Sequence, residues 1–217
     1  CITSQKGRIK MPPRPKFTKQ EIVAAGLKVA RERGMEAVST RDIAAVLGVS
    51  TRPIFTYFRS MDELKAEVYQ EAEEIYRGYV QEGLKEKVPF LGVGMQYIRF
   101  AKEEPQLYRM LFLSPPVKGY NNVMGQLENS QAMLRESIKQ IYHMDDKAAD
   151  QYFRDMWLVV HSLATLTVTG SAPYTEEEMG SILTEFSVSI CKAYKEIPGF
   201  FEGKFDKDAV FRELVSK

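Results

Sequence analysis

Cysteine, histidine and tryptophan are scarce in this chain of 217 residues, which holds two cysteines, two histidines and one tryptophan. The two cysteines, Cys1 and Cys191, cannot build a disulfide framework, and no cysteines and histidines stand at the spacing of zinc ligands. No apolar run reaches the roughly 18 residues that cross a bilayer, and no signal peptide opens the sequence. We therefore expect no metal, no cofactor and no membrane insertion, with the reducing cytoplasm as the compartment.

A strand pattern is also missing, because no alternation of apolar and polar residues is long enough for a sheet, and there is no internal repeat. Helix signals cover the chain instead. Thr18 to Glu21 is a capping box, and helical spacing continues from it to Gly34, a residue type that commonly ends helices. Signals of the same kind predict further helices at about 40–47, 51–57, 61–86, 89–103, 105–113, 121–143, 146–170 and 175–196. The expected fold class is all-α, with enough hydrophobic residues for a sizeable core.

Charge is divided unevenly along the chain, although the formal net charge is only +1. Residues 1–60 hold 12 Lys and Arg against 4 Asp and Glu, whereas the remaining residues hold 18 against 25. A basic N-terminal part on an acidic remainder favours a polyanionic partner for the basic part. A solvated basic face without a partner is the alternative that charge alone leaves open.

Residues 38–64, VSTRDIAAVLGVSTRPIFTYFRSMDEL, contain the most informative motif. Two short helical patterns are joined by a turn from Gly48 to Ser50, and Gly48 can adopt the left-handed backbone of a tight turn. Ile54 and Phe58 lie one turn apart and must pack inward, while Ser50 is a good N-cap for the second helix. This pattern is typical of a helix-turn-helix, whose second helix enters the DNA major groove, although a helical corner without a DNA role has the same turn.

The stretch from Gly34 to Leu64 resembles, almost position by position, the DNA-binding signature of the TetR family of transcriptional repressors. The matching residues are Gly34, Ile43, Ala44, Leu47, Gly48, Val49, Ser50, Phe58, Ser60 and Leu64. The C-terminal part resembles a family subtype marked by Trp, His and Gly on one helix, here Trp157, His161 and Gly170, preceded by residues 97–112. The resemblance covers about residues 16–195. It implies a three-helix DNA-binding head followed by a helical bundle that binds a ligand and dimerises.

Four parts of the chain are expected from this resemblance and from the helix pattern. Residues 1–15 would be a disordered extension, and residues 16–62 the helix-turn-helix domain. Residues 63–197 would form the ligand-binding and dimerisation domain. Residues 198–217 would be a tail whose short helix folds back on a groove of the body.

Residues of the second motif helix that lie off its inward face are expected to point into the DNA groove, and these are Thr51, Arg52 and Thr56. Arg52 can grip guanine O6 and N7 together, which makes it the candidate base reader, with a phosphate contact as the alternative. Family members hold phosphates at the positions that match Thr40, Arg41, Ser50, Tyr57 and Arg59. Arg14 and Lys16 precede the first helix and could reach the DNA backbone or the minor groove, or else be disordered.

Four positions depart from the family pattern. Arg52 and Pro53 replace the usual Gly-Thr, Phe55 stands where a tyrosine usually donates its hydroxyl to a phosphate, and Met61 replaces the usual lysine. The motif therefore lacks two side chains that commonly bind phosphates in the family. We expect Phe55 to be a core or rim aromatic residue that does not touch DNA.

Aromatic residues and methionines of the body could line an apolar cavity between helices, which is a common place for ligands. The candidates are Tyr97, Phe100, Tyr108, Met110, Phe112, Met124, Met133, Trp157 and His161. Taken singly, each of them fits plain core at least as well. His161, with Trp157 one turn before it, is either a satisfied buried histidine or the polar group that orients an otherwise apolar ligand.

The helices at about 146–170 and 175–196 resemble the pair through which family members dimerise as an antiparallel four-helix bundle. The alternative is that they fill the core of a monomer. A dimer would place two heads about one turn of DNA apart, roughly 34–36 Å, and would read an inverted repeat.

These observations predict a homodimeric repressor that binds a double-stranded DNA operator and releases it when a small, mostly apolar effector enters the body. The alternative is a small helical enzyme or carrier that uses His161 in an apolar cavity. No nucleophile, metal set or phosphate loop in the sequence supports that alternative. Activation instead of repression, or action without any ligand, is equally compatible with the sequence.

Overall fold

The computed structural model describes residues 17–52, 54–114 and 123–216, and of residues 123, 124 and 126 it describes the backbone alone. Every regular element within this part of the chain is helical. Ten α-helices are present among these residues, in addition to a 3₁₀ turn at Met35–Ala37 and a π-helical turn at Arg109–Leu113. They are α1 (Lys19–Arg33), α2 (Thr40–Leu47), α3 (Ile54–Tyr57), α4 (Met61–Gly83), α5 (Pro89–Glu103), α6 (Pro105–Tyr108), α7 (Val123–Tyr142), α8 (Asp146–Val168), α9 (Glu176–Glu196) and α10 (Lys207–Val215). None of the helices described is both long and apolar enough to span a membrane.

Helix starts follow the capping signals of the sequence. Thr18 and Glu21 form the predicted capping box of α1, in which the Glu21 carboxylate accepts a 2.7 Å hydrogen bond from the Thr18 N–H. Thr175 and Glu178 do the same for α9. Ser39 and Ser60 cap α2 and α4 through their hydroxyl oxygens, which accept from backbone N–H groups three residues ahead. The predicted starts of these four helices are confirmed.

The N-terminal helices form the predicted helix-turn-helix arrangement, but its second helix is shorter than expected. Gly48 ends α2 in the left-handed conformation, with φ of 65°. The helix α3 begins only at Ile54, so Ser50 lies too far upstream to cap it and that prediction is wrong. A residue that precedes proline is biased away from helical backbone, and Arg52 precedes Pro53. Thr51 and Arg52 accordingly lie in the turn that leads to α3.

The body is built around α5, which packs against α4, α8 and α9 and also contacts α7. The segment predicted at 105–113 is the short helix α6 followed by one π-helical turn, Arg109–Leu113. Buried side chains of the head and of the body belong to one continuous hydrophobic core. The long helix α4 connects the two, because it packs on α1 with its first half and on α5 with the rest.

Burial within α4 and within the tail adds two details. The inward face of α4 runs through Ala72 and Tyr76, which are buried, whereas Ile75 is only partly buried. The tail does contain a short helix, α10, but this helix has no buried residue. Phe211 on α10 is 66% exposed, so the expected docking of the tail helix in a groove is wrong. Only Phe201, upstream of α10, is buried in the described part of the tail.

The helices α4 and α5 cross so closely that backbone approaches backbone. A Cβ atom added to Gly83 at the end of α4 would lie 2.5 Å from the backbone nitrogen of Val93 on α5. No flexible side chain can yield at this contact. Gly78, on the same helix, has open space around it.

We expect Gly83→Ala to lower the free energy of unfolding by about 1–3 kcal/mol, because the crossing must open to admit the methyl group. The matched variant Gly78→Ala should instead raise it by about 0.5–1 kcal/mol through helix propensity. Urea unfolding followed by circular dichroism, at one fixed protein concentration, measures both values. Equal stability of the two variants would contradict a tight crossing.

Candidate DNA-binding surface and ligand site

Helix α3 presents one side to the core and the opposite side to solvent. Ile54 and Phe58 are 1% and 2% exposed and hold the helix against the rest of the head. Successive helical residues are about 100° apart, so Thr56 points directly away from this buried pair. Thr56, Thr51 and Arg52 are all exposed. All three predicted groove-facing residues are therefore accessible at the surface of the head.

Arginine side chains near α3 differ in whether they are already paired. Arg33 is paired with Asp42 at 2.8 Å, and Asp42 also accepts a hydrogen bond from Ser39. The hydrogen bond from the Ser39 hydroxyl lowers the pKa of Asp42 most, and the hydrogen bond from Arg33 lowers it further. Arg41 and Arg52, in contrast, are exposed and make no ion pair among the residues that the structure describes. These two side chains are accordingly available for an anionic partner.

Among the other predicted phosphate contacts, Ser50 and Arg59 are exposed and Thr40 is half-buried. Tyr57 has a different role, since its hydroxyl donates a 2.8 Å hydrogen bond to the backbone carbonyl of Phe17. A phosphate can only accept hydrogen bonds, and the single hydroxyl proton of Tyr57 is already used. The geometry favours Tyr57 as the residue that ties α3 to the start of α1. The predicted contacts Arg14 and Lys16 lie outside the described residues.

Phe55 is not a core residue. Its side chain is 56% exposed, on the flank of α3 opposite to Tyr57. A core position for this aromatic side chain is therefore wrong, and a rim position stays a prediction. The sequence carried a signal for this placement, since Phe55 directly follows Ile54 and so falls outside the Ile54–Phe58 face.

The body contains a polar centre within an aromatic cluster. The Tyr97 hydroxyl lies 2.9 Å from Nδ1 of His161, and the Tyr108 hydroxyl lies 3.2 Å from the same atom and 3.3 Å from Oγ1 of Thr165. Trp157 stacks on the imidazole, with ring centroids 4.7 Å apart. The predicted pairing of Trp157 and His161 on one helix face is therefore present in α8.

Burial favours the uncharged form of every group in the polar centre. It lowers the pKa of His161 and raises the pKa of Tyr97 and of Tyr108. A neutral imidazole has one N–H donor and one acceptor nitrogen, and a tyrosine hydroxyl can both donate and accept. Nδ1 of His161 is therefore hydrogen-bonded to the tyrosine hydroxyls in either tautomer of the ring.

The remaining space beside this centre is small. A cavity of about 20 Å³ lies between α4, α5, α7 and α8, with Tyr97, Trp157 and Tyr76 in its lining. Tyr76 was not among the sequence candidates, although its position four residues after Ala72 on α4 marks it as inward-facing. It contacts Tyr97 and Phe112 edge-on, at 5.9 and 5.0 Å between ring centroids. Burial raises the pKa of Tyr76 to about 12.

The other ligand candidates are distributed between the core and the surface. Phe100, Met110 and Phe112 are buried in the same core. Met133 is 41% exposed. It lines a groove between α4 and α7 and is not part of the cavity lining. The side chain of Met124 lies outside the described part of the chain. Arg109 donates a 2.7 Å hydrogen bond to the Val168 carbonyl and so caps the C-terminal end of α8.

Helices α8 and α9 each carry an exposed stripe of apolar and small residues. On α8 the stripe consists of Leu158, Ser162 and Leu166, spaced four residues apart, with Leu158 53% exposed. On α9 it consists of the exposed Phe186 and Ser189, flanked by the partly buried Ile182 and Ala193, with Phe186 49% exposed. Both stripes lie beside the faces that pack into the core of the monomer.

Comparisons with known protein families give two matches, one in the N-terminal part of the chain and one in the C-terminal part. Residues 22–68 match the family model described as bacterial regulatory proteins, tetR family. Residues 90–185 match the model described as tetracyclin repressor-like, C-terminal domain. The comparison with curated proteins finds no significant match.

Solved structures with the same fold include several regulators. A tetR-family transcriptional regulator from Streptomyces coelicolor superposes with a TM-score of 0.64 at 16% identity, over 91% of this chain and 96% of that one. A TetR-like transcriptional regulator from Rhodococcus sp. RHA1 gives a TM-score of 0.59 at 15% identity, over 78% and 93%. The multidrug binding protein EbrR, in complex with imidazole, gives a TM-score of 0.51 at 17% identity, over 77% and 93%.

The first family model covers the helix-turn-helix and the second covers most of the body, and together they account for more than half of the sequence. The structural likenesses agree with this assignment at the level of the fold. The chain is therefore a member of the TetR family of transcriptional regulators.

Proposed function

We propose that this regulator is a homodimeric repressor that binds an inverted-repeat operator and is released from it by a small, mostly apolar effector. In this proposal residues 16–62 form the DNA-binding domain and residues 63–197 bind the effector and dimerise. The observation that carries the proposal is the exposure of Thr51, Arg52 and Thr56, of which Thr56 points away from the buried pair Ile54 and Phe58. As a member of a family of regulators the chain is not an enzyme, so we do not retain His161 as a catalytic residue.

Dimerisation is supported by the apolar stripes of α8 and α9. Leu158, Leu166 and Phe186 are exposed in the monomer, and their regular spacing suits helix-on-helix packing. A two-fold axis would bring the same stripe of each subunit together, which buries all of these side chains at once. Two heads held in this way could read two half-sites about one DNA turn apart, roughly 34–36 Å.

Release by an effector is supported by the position of Tyr76. This residue belongs to α4, which connects the head to the body, and it packs against Tyr97 and Phe112 beside the small cavity. A cavity of about 20 Å³ holds no organic molecule, so an effector must displace the side chains around it. Displacing Tyr76 would move α4 and change the separation of the two heads. The effector would thus shift the population from an operator-binding state to a released state.

The primary test is selection of DNA from a random pool, followed by gel shifts at fixed salt with the variants Arg52→Ala and Arg41→Ala. Arg52→Ala should relax the base preference at one position per half-site, at a cost of about 1–3 kcal/mol for the preferred base. Arg41→Ala should weaken binding to all sequences alike and reduce the salt slope by about one for each phosphate that is no longer neutralised. Equal affinity of the wild type for selected and random duplexes would refute the proposal.

The dimer is tested by placing a charge in the α9 stripe. Phe186→Glu should yield a monomer with greatly weakened operator affinity, because a carboxylate would be buried between two apolar helices. Phe211→Glu is the matched control, since Phe211 is also an exposed phenylalanine but lies on α10. Analytical ultracentrifugation measures the association state of each variant. A dimer that survives Phe186→Glu unchanged would place the interface elsewhere.

The effector site is tested with small aromatic compounds used in pairs, such as naphthalene and 2-naphthol, which differ by one hydroxyl. Because Trp157 is the sole tryptophan and lines the cavity, binding should change its fluorescence. We expect the hydroxyl compound to bind more tightly by about tenfold, through a hydrogen bond in the polar centre, and this preference to vanish in His161→Leu. Operator affinity without effector should be the same in both proteins. A hydroxyl preference that persists in His161→Leu would remove His161 from the site.

A further inference from the structure

Phe55 is an apolar side chain on a surface that is otherwise polar. Among the large hydrophobic residues described in the head, only Phe55 and Val46 are exposed, at 56% and 41%. Val46 belongs to α2, whereas Phe55 lies on α3 itself, directly beside the outward-pointing Thr56. The residues that share its surface are Thr51, Arg52 and Thr56, all of them capable of hydrogen bonds.

The chemistry of a phenyl ring restricts what it can recognise in DNA. It has no hydrogen-bond donor for a phosphate and no partner for the polar atoms of base edges. In the major groove the single strongly apolar feature is the C5-methyl group of thymine, and phenylalanine is among the side chains that contact it. Cytosine has no methyl group at C5. An apolar contact to this point of the major groove therefore distinguishes thymine from cytosine.

We propose that Phe55 reads a thymine methyl group in each half-site of the operator, at a base pair next to the one that Arg52 contacts. This inference rests on the proposed function, because it needs α3 in the major groove. Phe55 has no hydroxyl, so it cannot make the hydrogen bond to phosphate that a tyrosine at this position usually makes in the family. The proposal gives this residue a role in reading the base sequence instead. Helix α3 and the turn before it would then combine two modes of recognition, the charged hydrogen-bonding side chain of Arg52 and the apolar side chain of Phe55.

The position of Phe55 makes the proposal testable without loss of the fold. Its ring is exposed, whereas Ile54 and Phe58 hold α3 against the core, so substitutions at position 55 should leave the head intact. Tyr57 and its hydrogen bond to Phe17 are also untouched by such changes. Circular dichroism and the unfolding midpoint of each variant check this directly.

The experiment uses the full chain and the duplex obtained by selection, in which each thymine is replaced in turn by deoxyuridine, symmetrically in both half-sites. This replacement removes one methyl group and leaves every hydrogen-bonding atom in place. For the wild type we expect one position at which the change weakens binding by about three- to fivefold per half-site, the effect of one buried methyl group. Phe55→Ala should bind the thymine and deoxyuridine duplexes equally at that position. Phe55→Tyr, which keeps the ring, and Val46→Ala, the control outside α3, should retain the wild-type difference.

Three results would overturn the inference while leaving operator binding established. One is a wild type that tolerates deoxyuridine at every position, and another is a deoxyuridine effect that is just as large in Phe55→Ala. The third is a Phe55→Ala variant that weakens all duplexes alike, because the ring would then pack on the sugar-phosphate backbone. Failure to select any preferred duplex, in contrast, would refute the proposed function itself.

Discussion

The placement of a single helical turn, α3, depends on the burial of Ile54 and Phe58. Four residues cannot form a stable helix alone, so α3 exists because these two side chains are anchored in the core of the head. Additional contacts hold its C-terminal end. Tyr57 is tied to the Phe17 carbonyl, and Lys19, which is paired with Glu67 of α4, lies 5.5 Å from the centre of the Phe58 ring. The proposed recognition of DNA depends on the rigidity that this anchoring gives to the exposed side of the turn.

Much of the helical architecture could be predicted from local chemistry. Helix starts are marked by capping hydroxyls at Thr18, Ser39, Ser60 and Thr175, which accept hydrogen bonds from free backbone N–H groups of the first turn. These hydrogen bonds are local, so they form without any tertiary contact. The start of α3 was harder to predict, because Ser50 offers a cap while Pro53 biases the preceding residue away from helix. The sequence pattern alone could not decide between these two local preferences.

The candidate sites could likewise be predicted from the sequence only in part. The pairing of Trp157 with His161 could be predicted, because residues four apart on one helix share a face whatever packs on it. The hydroxyls that converge on His161 come from two other segments, at Tyr97 and Tyr108, and their common target is a product of tertiary packing. Tyr76 was missed for a related reason, since a buried tyrosine and its partly buried neighbour Ile75 look alike until the direction of α4 over α5 is known.

The helix α4 is the element through which the two sites can affect each other. Near its N-terminal end Val68 packs so closely on α1 that a Cβ atom added to Gly26 would lie 2.8 Å from the Val68 side chain. Two turns later the ring of Tyr76 lies against Tyr97, which is hydrogen-bonded to His161. A helix is stiff along its axis, and its end at Gly83 is held by the close crossing with α5. In the proposed mechanism a displacement of Tyr76 would tilt α4 about that crossing, and the largest movement would occur at the far end, where α1 and the head are attached.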